Sequence, residues 1–166
     1  MEEAPAKMHI YLFALALGLG FVAGLRTFTA PAVLSWAAYL RPDILTGCGF
    51  LGSKIAVAFL TLLALAEYVG DLLPKTPKRT APGPLIARII SGGLCGACLF
   101  MQPWIPGVLI GGIGAVVGAY AGYNTRRKLV EKLKVKDAMI AIPEDLFAIS
   151  MACLLVFVGM SYLPAA

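Results

Sequence analysis

The chain alternates long apolar runs with short polar ones. Run length is the first guide, because a helix crossing a hydrocarbon core needs about 20 apolar residues. Ile10 to Leu40, Ile55 to Leu73, Leu85 to Gln102, Gly107 to Thr125 and Leu146 to Leu163 are such runs. The first is too long for one upright helix and too short for two. At its middle stands "GLRTFTAP", Gly24 to Pro31, with an arginine inside an otherwise apolar segment. Proline is favoured in the first turn of a helix, where its missing donor would be unpaired anyway, and threonine is a capping residue. The segment is therefore predicted to break, into a helix from about Ile10 to Gly24 and another from about Pro31 to Leu40 with Thr29 able to cap. "PWIP", Pro103 to Pro106, predicts a tight turn between the third and fourth runs. The polar stretch Thr125 to Asp137 reads as a loop. The predicted fold is an all-α integral membrane protein of about five transmembrane helices, the first broken near Arg26 to Pro31, in a single transmembrane domain.

Composition agrees with this pattern. Of 166 residues, 60% are hydrophobic and 14% charged, against about 45 to 50% apolar and 25% charged in soluble domains. The excess of Lys and Arg over Asp and Glu, 14 against 9, is expected to mark loops beside anionic lipid rather than a nucleic-acid surface.

Orientation follows from where those charges lie. Lys75, Lys78, Arg79 and Arg88 follow the second run, and Arg126, Arg127, Lys128, Lys132, Lys134 and Lys136 follow the fourth. In a five-span arrangement both groups share a side with Lys7, while the opposite side holds Arg41, Lys54, the uncharged "PWIP" and a tail without basic residues. Positive loops stay inside, which predicts a cell (inner) membrane protein with a cytoplasmic N-terminus and an external C-terminus. "HIYLFALALGLGFVAG" after Lys7 resembles a signal peptide, but the apolar segment continues beyond it, so an uncleaved first span is expected.

Cysteine and histidine add little chemistry. "CGAC", Cys95 to Cys98, has redox spacing but sits in an apolar helix, where packing of small residues is the preferred reading. His9 has no second histidine near it, and neither a metal nor a cofactor is expected. Glycine is more informative. Gly114, Gly118 and Gly122 recur every four residues, Gly107 and Gly111 precede them, and Gly20 with Gly24 and Gly92 with Gly96 repeat the spacing. Such a face admits close approach of another helix, either within the chain or from a second copy, so a homo-oligomer is one expectation.

Charges within or beside the spans carry the remaining chemistry, because each is costly in hydrocarbon unless paired, hydrated or used. They are Arg26, Glu67 and Asp71 in "EYVGD", and Glu144 and Asp145 in "PEDLFAI". Glu67 and Asp71 are four apart and share a helical face, with Glu67 about 9 Å inside the end if Leu73 marks it. Glu144 and Asp145 begin the final apolar run, where carboxylates suit a helix N-terminus. A new N-terminus at the break, beside Arg26, Thr27 and Thr29, suits an anion or an acidic side chain. All four carboxylates are expected at the basic side, near Arg79 in the proline-stiffened "PKTPKRT".

"GLRTFTAPAVLSWAA", "EYVGDLLPKTPKRT", "PLIARIISG", "RRKLVEKL" and "EDLFAI", in that order over nearly the whole chain, resemble the motif set of an uncharacterised bacterial family of small multi-pass membrane proteins, a domain of unknown function. In that family a lysine often follows the aspartate of the second motif, where this chain has Leu72. The resemblance implies membrane location and supplies no activity.

Paired intramembrane charges and a broken helix are marks of a solute pathway, so the function expected is a transporter or channel subunit for a small solute or ion. Two alternatives stand beside it: an enzyme acting on a lipid or lipid-phosphate head group, and an assembly or scaffold protein. Against the enzyme, the chain lacks a nucleophile–base pair, a His/Cys metal set and a glycine-rich phosphate motif in a strand–loop–helix setting. The candidate pathway residues are Arg26, Thr27, Thr29, Glu67, Asp71, Arg79, Glu144 and Asp145.

Overall fold

A computed structural model describes residues 3–42, 46–71, 81–100, 103–134 and 137–162. Six α-helices carry them: α1 (Glu3–Leu25), α2 (Thr29–Leu40), α3 (Lys54–Asp71), α4 (Pro82–Leu99), α5 (Trp104–Leu133) and α6 (Asp137–Tyr162), with a short 3₁₀ segment, Thr46–Gly52, between α2 and α3. Large apolar side chains point outward over much of the surface; Ile55, Leu62, Ile90, Leu109 and Phe157 are all more than half exposed. A soluble protein would bury that surface, and a bilayer covers it without cost. The protein is an all-α integral membrane protein. Pro82–Leu99, Trp104–Leu133 and Met139–Gly159 are each long and apolar enough to cross a membrane, and His9–Leu25 is a shorter apolar helix. α3 carries Lys54, Glu67 and Asp71 within its 18 residues. Among the described residues three helices thus qualify on length and composition, against the five expected.

Glycine builds the centre. α1, α4 and α5 pack against one another through backbone: a Cβ on Gly20 would collide with the carbonyl of Gly111, and one on Gly96 with the carbonyl of Gly107. Gly24 lies against Ala115 and Gly118, and Gly114 and Gly118 lie against the backbone of Leu17 and Phe21. No larger residue fits there, and close approach lets dispersion and weak CH hydrogen bonds accumulate. The glycine faces are therefore spent inside one chain. Gly122, the last of the series, is buried beside a cavity described below.

These contacts also give direction. Gly20 against Gly111 and Gly24 against Gly118 make α1 parallel to α5. Gly18 against Leu155 and Gly159 against Leu15 make it antiparallel to α6. Phe13 packs on Phe100, with ring centroids 5.0 Å apart, just beyond the end of α4. α2 then turns back: Thr29 meets Tyr68 and Trp36 meets Thr61 on an antiparallel α3. The first apolar run is accordingly a hairpin of two helices and not one broken span. The start of α1 and the end of α6 lie at the same end of the bundle, so the five-span arrangement with termini at opposite ends is corrected. The break was legible because Arg26 and Pro31 are local signals; the reversal of direction was not, because it shows only in the contacts of α2 with the distant α3.

Two boundaries also move. α5 continues through Leu133, so most of the stretch expected as a loop is helix, supported by the Arg127–Glu131 pair at 2.9 Å four residues apart. It ends at Lys134, in the left-handed conformation. α6 starts at Asp137, two turns before Glu144, which removes Glu144 and Asp145 from the capping position expected for them.

Opposite the Arg26 end, Cys48 of the 3₁₀ segment forms a disulfide with Cys98 of α4, leaving Cys95 buried and Cys153 exposed as thiols. The "CGAC" pair does not bond to itself.

Candidate functional site

Arg26, Thr27 and Phe28 stand between α1 and α2; Arg26 still donates its N–H to the Val22 carbonyl, and the N–H groups of Thr27 and Phe28 are left facing the inside of the protein. Such donors are costly in a membrane unless satisfied. Glu67, from α3, satisfies them: Oε1 accepts the N–H of Thr27 at 2.8 Å and Oε2 the N–H of Phe28 at 2.9 Å. A carboxylate at this position also meets the positive end of the α2 dipole. Thr29 was expected to cap. It is instead the first residue of α2, and its hydroxyl bonds the Tyr68 hydroxyl at 2.7 Å; no side chain of α2 caps its own helix. A threonine hydroxyl can serve one amide, whereas a carboxylate from a neighbouring helix serves two and brings charge.

Arg26 is fully buried. Its guanidinium pairs with Asp71 of α3 through Nη1 and with Asp145 of α6 through Nη2, and its cationic carbon lies 5.8 Å from the centre of the Tyr68 ring. The planar fork thus ties three elements at once, which a lysine ammonium does not do in the same geometry. The network extends on both sides. Arg126 donates to Asp71 at 3.1 Å and stands 3.7 Å from Glu144. Arg88 stands 3.6 Å from Glu67. Ser91, one turn along α4 from Arg88, donates its hydroxyl hydrogen to the carbonyl of Thr27. The carbonyl and the amide of one break residue are therefore both satisfied by side chains from elsewhere.

Arg26, Thr27, Thr29, Glu67, Asp71, Glu144 and Asp145, all selected from sequence, converge at this place; Arg79 lies outside the described residues. Arg88, Ser91, Tyr68 and Arg126 were not selected. Arg88 and Arg126 had been counted as loop charges, yet Arg88 is 4% exposed within α4. The available signal was the spacing of Arg88 and Ser91 by three in an apolar helix, which places both on one face. Among the described residues no group of three or more His, Cys, Asp or Glu side chains is arranged to hold a metal ion.

A cavity of about 400 Å³ adjoins the network between α1, α5 and α6, with Arg126 and Glu144 at its polar edge. Small residues make it: Ala121 and Gly122 of α5 face α6 and leave the space unfilled.

Fold and site together define a multi-pass helical membrane protein organised around a buried arginine–carboxylate cluster at a helix break. The chain belongs to the family described as a domain of unknown function, DUF4126, whose model matches residues 13–165. No curated protein and no solved structure matches the chain.

Proposed function

We propose that this is a small inner-membrane transporter or channel subunit for a small anionic solute, coupled to protons. The observation that carries the reading is the seat at the start of α2. It has two inward backbone N–H groups, the fully buried Arg26 and the nearby Arg88, and it is occupied by an ionisable side chain of the same protein, Glu67. Such a seat is an anion site. An external anion that displaces the Glu67 carboxylate takes over the N–H groups of Thr27 and Phe28, while Asp71 and Asp145 retain Arg26. Entry of the anion together with a proton leaves the charge of the seat unchanged, which is a physical basis for coupling. Discontinuous helices with ionisable groups at membrane depth are the recurrent form of solute sites.

Orientation is part of the proposal. The cluster end of the bundle bears Arg127, Lys128 and Lys132 on α5 and Lys134 just after it. The positive-inside tendency favours a cytoplasmic position for it. The Cys48–Cys98 disulfide at the other end fits an oxidising compartment. Both termini then lie outside, in place of the cytoplasmic N-terminus expected from five spans. Engineered cysteines test this in intact cells: positions 8 and 165 should react with an impermeant thiol reagent and position 130 should not.

Transport is tested with the full chain in vesicles loaded with a pH-sensitive dye and given gradients of acetate, phosphate or chloride. Wild-type protein should produce an anion-dependent pH change that Arg26→Lys abolishes. Traces equal to protein-free vesicles for all three anions would overturn the reading. A second reading, an assembly or scaffold protein, draws on the pairing itself, since Glu67, Asp71, Glu144 and Asp145 each face a guanidinium in the same chain. It requires that an Arg26→Lys variant shown by its melt to be folded keep cellular function, and that Gly96→Val, which opens the glycine face, abolish it.

A further inference from the structure

We infer that the cavity between α5 and α6 is a binding site for one anionic phospholipid, with an acyl chain in the cavity and the phosphate at the basic end of α5. The inference does not depend on the transport reading. Phe21 and Leu25 of α1, Leu129 of α5 and Ile140 and Phe147 of α6 form apolar walls around about 400 Å³. That volume is within the range of ligand sites. Its lipid side is open, since Phe147 is 57% exposed. An apolar void open to hydrocarbon takes up a chain, as leaving it empty forfeits contacts on one face.

The head group is specified by charge. Thr125 and Arg126 line the cavity where α5 turns from apolar to basic sequence. Thr125 and Leu129 share a face of α5, and helical spacing carries that face on to Lys132, with Lys128 at its edge. Lys128 and Lys132 are exposed. Arg126 is held by Asp71 and Glu144, so it marks the depth of the head-group region while the exposed lysines supply the attraction. A basic end beside an apolar slot between helices complements a phosphate carrying acyl chains. A zwitterionic lipid would gain the chain contacts without the charge.

The test is native mass spectrometry of the full chain in mild detergent, titrated with phosphatidylglycerol or phosphatidylcholine. One phosphatidylglycerol should be retained at saturation, with a preference of about thirtyfold over phosphatidylcholine for two lysines acting near the surface. Lys132→Glu, at an exposed position, should reduce the preference severalfold. Ala121→Phe, which fills the cavity, should lower retention of both lipids; a thermal melt checks that this variant is folded. If it is not, Lys132→Glu decides alone. Equal retention of the two lipids, unchanged preference in Lys132→Glu, or binding that rises without saturating would each overturn the inference. Flux is not read, so a failure here leaves the transport proposal standing, and a failure there leaves this one.

Discussion

Replacing Glu67 by glutamine keeps the shape of the side chain and removes its charge and one acceptor. In the wild-type protein the two oxygens accept from Thr27 at 2.8 Å and Phe28 at 2.9 Å. Glutamine has one carbonyl oxygen, and its other terminal atom is a donor. One of the two amides therefore faces an N–H₂ group and loses its partner. A buried donor left unsatisfied costs about 1–3 kcal/mol, and the surviving bond loses its charge assistance, worth about 1 kcal/mol more. The expected loss is about 2–4 kcal/mol. For a chain of this size 1 kcal/mol moves the melting temperature by about 2–4 °C, so the variant should melt roughly 4–16 °C below wild type. Differential scanning fluorimetry in detergent measures the shift. Hydrogen exchange over the peptide containing Thr27 and Phe28 locates it, and should be faster in the variant. Glu67→Asp, which keeps the charge but is one methylene shorter, should fall between the two. A glutamine variant that melts with wild type, with exchange at Thr27 and Phe28 unchanged, would show that Glu67 does not hold the break and would remove the proposed seat.

Arg26→Met should be severe, since it strands Asp71 and Asp145 without the group that joins them; removing one partner of a buried ion pair costs about 3–5 kcal/mol, read as lost expression or a collapsed melt, and a stable variant would contradict the structural importance of the fork. Gly96→Val should prevent α4 and α5 from closing, because its side chain meets the Gly107 carbonyl, whereas Gly70→Ala, with nothing within 4 Å of the added carbon, should be neutral or stabilise by up to about 1 kcal/mol; equal behaviour in size-exclusion chromatography would refute the packing account. Thiol alkylation under denaturing conditions should count two free cysteines before reduction, Cys95 and Cys153, and all four after it; four before reduction would exclude the Cys48–Cys98 bond.

Local signals determined much of this protein from its sequence alone. Apolar run length determined that the chain is helical and membrane-embedded, because bilayer thickness sets a required length that few other constraints impose. Arg26 followed by Pro31 determined that a helix ends and another begins there, because proline lacks an N–H and is at home in the first turn of a helix, where that donor would be unpaired anyway. The cost of ionised groups in hydrocarbon singled out Arg26, Glu67, Asp71, Glu144 and Asp145. Tertiary structure alone decided the rest. That α2 turns back beside α1 shows in the meeting of Thr29 with Tyr68 and of Trp36 with Thr61, contacts between residues too distant in sequence to leave a periodic trace. That Glu67 rather than Thr29 holds the start of α2 depends on α3 arriving antiparallel with its carboxylate at the right height. Arg88 and Arg126 read as loop charges because charge type says nothing of depth; they became members of the cluster only when α4 and α5 brought them against Glu67, Asp71 and Glu144, where an arginine is stabilised by its partners and not by water.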